Sequence, residues 1–131
     1  MATHLLSLRG DIEELKKFFL ELLKQVGYTV ILKEGLETGF IVIGADRERT
    51  SQLSVALHSL VGGYMPMNRI AIELTAHRDG AVMKATLKSI PYLDILDIET
   101  KEYTQGEQER CTKLVELFSE QISNQFNSIT L

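Results

Sequence analysis

Apolar residues recur at three- and four-residue steps between Asp11 and Val26, taking in Ile12, Leu15, Phe18, Phe19, Leu22, Leu23 and Val26. That spacing draws one broad stripe down a helix. Asp11 stands at the N-cap position, Glu14 completes a carboxylate variant of the capping box, and Gly27 supplies the left-handed turn that stops the helix. A second stripe of Cys111, Leu114, Val115, Phe118, Ile122 and Phe126 predicts a helix over 105–126, opened by a Thr104–Glu107 capping box.

Between the helices the period changes from 3.6 to 2. Ile70, Ile72, Leu74 and Ala76 alternate with Ala71, Glu73, Thr75 and His77. After the tight-turn signal Arg78-Asp79-Gly80, Met83, Ala85 and Leu87 alternate with Lys84, Thr86 and Lys88. This is a hairpin with one wet face. Tyr28–Lys33 and Phe40–Ile43 read as an earlier hairpin around a loop of about five residues. The unbroken run Ile41-Val42-Ile43 predicts a strand covered on both faces. Pro91 is read as interrupting the pairing, with Tyr92–Ile98 a kinked continuation or a separate edge strand. The expected flexible termini are 1–9 and 127–131.

Residues 51–61 fit two templates. Leu53, Val55 and Leu57 alternate as a strand, whereas Leu53, Leu57, Leu60 and Val61 make a helical stripe; the poor helix formers Ser54, Val55 and Ser59 tip the reading to strand. The fold class is then a single α+β domain over 1–131, an antiparallel sheet of five to six strands flanked by N- and C-terminal helices. The alternative order is α-ββ-α-βββ-α. The first order resembles helix-grip ligand-binding cups and, more loosely, secretion-chaperone folds; the second resembles roadblock and longin-type regulatory modules. Both are resemblances of element order, and no functional residue is carried over from them.

Composition narrows the function. At 131 residues and 44% hydrophobic the chain suits one core, and its net charge of −4 argues against a general nucleic-acid binder. The charge is uneven: residues 1–91 carry 11 basic and 10 acidic side chains, residues 92–131 carry 3 and 8. No apolar run is long enough for a membrane span. The lone Cys111 excludes an internal disulfide, reads as a small buried hydrophobe, and with the absence of a secretory signal gives a cytoplasmic expectation.

No catalytic motif emerges. His4, His58 and His77 have no metal-ligand spacing, and His77-Arg78-Asp79 is a hairpin turn. The acidic pairs Asp94/Asp97 and Glu107/Glu109 read as a strand whose carboxylates diverge and as a helix first turn. No cofactor or metal is therefore expected. Two features suggest contact with a partner or ligand. Tyr64, Met65 and Met67 bracket Pro66 in an apolar loop suited to an irregular surface. Arg47 and Arg49 in a charged loop could clamp an anion. The expected function is a non-catalytic protein-interaction or chaperone-like module, self-associating as a homodimer. The alternatives are a small apolar-ligand cup, lined by Met83, Leu87, Leu114 and Phe118, and an enzyme of unassigned class.

Overall fold

The hairpin with one wet face is the centre of the structure. In the computed structural model, which describes residues 2–46, 69–93, 98–99 and 105–126, that hairpin is β4 (Arg69–Asp79) and β5 (Val82–Leu93), joined by a two-residue turn at Gly80 and Ala81. Gly80 takes φ +67, the left-handed conformation that a tight turn asks of glycine. The remaining described elements in chain order are β1 (Ala2–Leu8), α1 (Ile12–Gln25), β2 (Tyr28–Gly35), β3 (Gly39–Asp46), β6 (Ile98–Glu99) and α2 (Gln105–Phe126). The strands form one antiparallel sheet in the order β1-β5-β4-β3-β2, with β6 beside β1 on the same edge of β5. Together with the two helices this is the α+β domain that the alternation implies.

Registry explains which residues are buried. Rows of paired residues cross the sheet on one face: Leu6–Ala85–Ala76–Phe40, His4–Leu87–Leu74–Val42 and Ala2–Ser89–Ile72–Gly44. Leu15, Phe19, Leu22 and Leu23 of α1 and Val115, Phe118, Ile122 and Phe126 of α2 pack against these rows in a single core. Both helices therefore cover the same face. They also meet each other, Phe19 edge-on to Phe118 with ring centroids 5.6 Å apart and Phe18 edge-on to Phe126 at 5.7 Å. Leu23 lies where a side chain on residue 44 would project, so glycine at that row lets α1 approach the sheet.

The opposite face carries Lys84, Thr86, Lys88, Glu73, Thr75 and His77 in its middle, as the alternation requires. At the β2–β3 side it turns apolar, where Ile43, Ala45 and Ala71 are buried with Ile31 and Ile41 against them. Val42 is buried on the helix face and Ile43 on the far one, so β3 is covered on both sides there, as its unbroken apolar run implies.

The structure corrects four expectations. Residues 2–8 are not a loose terminus: they form β1, paired residue for residue with β5 from Ala2↔Ser89 to Leu8↔Met83. Buried Leu6 and Leu8 hold the strand down, and the Arg9 N–H donates to the Phe126 carbonyl at 3.2 Å. The chain order therefore begins with a strand rather than a helix. Asp11 is the N-cap of α1, in extended geometry, but its side chain makes no capping hydrogen bond; its backbone carbonyl accepts the Leu15 N–H at 3.1 Å, and Glu13 and Glu14 place acidic charge in the first turn. The first hairpin is tighter than expected, because β2 continues through Gly35 and only Leu36, Glu37 and Thr38 make the connection. Finally, Pro91 does not break β5, which still pairs with Ile70 there. On the other edge of β5, the pairing with β1 reaches Ser89 and that with β6 starts at Tyr92, so among the described residues no ladder on that side uses Pro91.

The last helix has the predicted bounds, 105–126, with Cys111, Val115, Phe118, Ile122 and Phe126 all buried. The ambiguous segment 51–61, the Thr104 cap, Asp94, Asp97, His58 and the terminus 127–131 lie outside the described residues.

Candidate functional site

Tyr64, Met65, Met67, Arg47 and Arg49, the residues that sequence patterning singles out for partner or ligand contact, all lie outside the described residues. The four residues suggested as a ligand-cup lining lie between sheet and helix. Met83, Leu87 and Phe118 are fully buried members of the main core, and Leu114 packs partly buried against it. They behave as ordinary core positions.

The described residues present a different surface. Six large apolar side chains are solvent-exposed, and they divide between the two ends of the sheet. Val26, Val30, Leu32 and Leu36 gather around β2, and Leu5 and Leu117 lie on β1 and on the helix that covers β1. The β2 group arises from local geometry. Val26 is the C-cap residue of α1, and Gly27 at φ +79 turns the chain straight into β2. A register shift between Val30 and Leu32 then makes Ile31 a bulge residue. Before it, Val30 is opposite Gly44 on the helix face; after it, Leu32 is opposite Ile43 on the far face. The bulge thus puts Val30 and Leu32, two residues apart, on opposite faces of one strand. Leu36 follows in the turn, where its N–H donates to the Gly39 carbonyl at 2.9 Å.

Among the described residues no strand pairs the outer edge of β2. An edge strand presents backbone N–H and C=O groups as a template for another chain. Lys33 and Glu34 on this strand are exposed, and with the bulge they shorten the stretch that could pair regularly. Chemically the β2 end can therefore offer a few main-chain hydrogen bonds flanked by apolar area.

Reactive chemistry is sparse among the described residues. Cys111 is fully buried under α2, and its thiol is hydrogen-bonded to Ser89, whose hydroxyl donates to the Ala71 carbonyl at 2.9 Å. Burial pushes the Cys111 thiol above its ordinary range, and the Ser89 contact offsets part of that push. The protonated thiol acts as a small core group, as its place on the apolar stripe implies. The exposed His4 and His77 sit on opposite faces of the sheet. Among the described residues no three His, Cys, Asp or Glu side chains gather to hold a metal ion. Arg110 reaches Asp46 at 3.5 Å across the α2–β3 contact, a partly exposed pair worth at most about 1 kcal/mol. No described helix is long and apolar enough to cross a membrane. No protein-family model matches the chain, and no curated protein or solved structure matches it either.

Proposed function

We propose that this chain is a non-catalytic protein-interaction module of a chaperone-like kind, self-associating, with the β2 end of its sheet receiving an extended apolar segment of a partner. The observation that carries this reading is the grouping of Val26, Val30, Leu32 and Leu36 around an edge strand that no described strand pairs. An extended segment laid along β2 gains main-chain hydrogen bonds from the edge and buries its alternate side chains against the apolar ones. Val30 and Leu32 lie on opposite faces of β2, so a segment laid along the edge can bury side chains on either face. The short accessible stretch and the charges of Lys33 and Glu34 favour brief, exchangeable binding over a permanent sheet extension.

The reading is tested with a chemically denatured model client whose aggregation is followed by light scattering. The wild-type chain is expected to suppress aggregation. Leu32→Asp places a charge in the group and is expected to weaken suppression about tenfold in the concentration required, equivalent to about 1.4 kcal/mol. Because Leu32 is 41% exposed, circular dichroism and the thermal midpoint should stay close to wild type. Equal suppression by wild type and variant, or none by either, would contradict the assignment.

A further inference from the structure

We infer that β1 is the surface through which two copies of this chain associate, edge to edge and antiparallel about a two-fold axis at Leu5; this rests on the reading of the protein as self-associating. The two ends of the sheet are built differently. β2 carries a bulge and the charges of Lys33 and Glu34, which are the devices by which natural sheets keep their edges from pairing. β1, Ala2-Thr3-His4-Leu5-Leu6-Ser7-Leu8, has none of them. It contains no lysine, arginine, carboxylate or proline, and its register with β5 runs unbroken over all seven residues.

The strand is also held ready. Leu6 and Leu8 are buried in the core and the Arg9 N–H is tied to the Phe126 carbonyl, while Thr3, His4 and Leu5 are exposed. Leu5 is 74% exposed, the most open of the large apolar side chains among the described residues, and it stands on the sheet face away from the helices. Among the described residues no strand pairs the outer edge of β1. A rigid, uncharged, regular edge with an apolar residue in its middle is a template for another strand.

The sequence of β1 specifies the second strand as a copy of itself. A two-fold axis perpendicular to a sheet pairs residues that point to the same face, so odd positions meet odd and even meet even. Centring the axis on Leu5, the middle of the strand, uses its whole length. Leu5 of one copy then faces Leu5 of the other, Thr3 faces Ser7, His4 faces Leu6 and Ala2 faces Leu8. No like charges are opposed in any of these pairs, and the two most exposed apolar side chains cover each other. Ser7 Oγ accepts from Lys84 Nζ at 3.0 Å, which leaves the serine proton to donate across the axis to Thr3. Shifting the register by two residues in either direction sets Leu5 against Thr3 or Ser7 and shortens the overlap.

Sedimentation velocity on the full chain tests the surface, and cysteine cross-linking tests the register. Leu5→Lys sets two like charges at the axis and is expected to raise the dimer dissociation constant at least tenfold, with the far-ultraviolet circular dichroism unchanged. Leu5→Cys is expected to give a disulfide-linked dimer with diamide. Thr3→Cys alone should not, because its counterpart is Ser7, whereas Thr3→Cys with Ser7→Cys should. Buried Cys111 serves as the unreactive background. A wild-type dimer that Leu5→Lys leaves intact, or equal cross-linking of Leu5→Cys and Thr3→Cys, would overturn the β1 assignment while leaving self-association in place. A wild-type chain that stays monomeric would overturn both.

Discussion

Gly39→Ala is expected to cost more than about 3 kcal/mol of folding stability, at or beyond the upper end of ordinary overpacking. Gly39 opens β3 and is paired with His77 of β4. A Cβ there would fall on the Ala76 carbonyl and against the backbone of His77, so no side chain can rotate to make room. Nor can the turn easily lift away. The Leu36 N–H donates to the Gly39 carbonyl at 2.9 Å, and the Arg78 N–H donates to the Thr38 carbonyl at 2.9 Å, clamping the β2–β3 turn to the end of β4. Relief requires the first hairpin to separate from β4 at this corner. Gly35→Ala is the control, since nothing lies within 4 Å of its Cβ position and its φ is not in the left-handed region. Urea denaturation would show the difference: with a slope of about 1–3 kcal/mol per molar, a 3 kcal/mol loss lowers the midpoint by roughly 1–3 M. A Gly39→Ala midpoint indistinguishable from that of Gly35→Ala would mean that this corner is looser than its hydrogen bonds imply.

Phe118→Ala is expected to be comparably damaging, by about 3–5 kcal/mol. Phe118 is 1% exposed, and its ring meets Phe19 at 72° between α2 and α1. Truncation leaves a cavity where two helices and the sheet converge, and neither helix can collapse into it without losing its register on the rows of β4 and β5. In a double-mutant cycle with Phe19→Ala, the double-mutant loss should fall short of the sum of the two single losses by about 0.5–1.5 kcal/mol, the worth of the ring pair. Leu117→Ala, one residue away but exposed, should stay within about 0.5 kcal/mol of wild type. The contrast isolates the inward face of α2 from its helix propensity. A Phe118→Ala loss no greater than that of Leu117→Ala would contradict the packing.

The particular residues show why some of this was legible and some was not. Residues 72–88 are readable because there the helices pack one face of the hairpin and the other is polar, so polar and apolar positions must alternate. Gly80 marks its turn through a conformation few other residues accept. The last helix is readable for the equivalent reason, a single apolar stripe over a sheet. β1 escapes notice because Leu5 and Leu6 are adjacent apolar residues, one outward and one in the core, and this breaks the alternation that announces a strand. Its partner is β5, remote in sequence, and no local spacing encodes that pairing. Pro91 misleads because its cost depends on whether a neighbour needs its N–H, a property of β1 and β6 rather than of the local sequence.

The candidate site divides in the same way. Tyr64, Met65, Met67, Arg47 and Arg49 stand out by residue type. Val26, Val30, Leu32 and Leu36 look like ordinary core residues in the sequence. Only the sheet order makes β2 an edge, and only the bulge at Ile31 turns its apolar side chains both ways. Spacing alone cannot separate an edge strand from a central one.

Native mass spectrometry of the gently purified wild-type chain, over a dilution series at micromolar protein, decides between a self-associating module and a monomer. An interaction module that pairs with its own copy gives a principal species of twice 14.8 kDa that dissociates on dilution. A species of 14.8 kDa at every concentration would contradict self-association, and with it the pairing of β1.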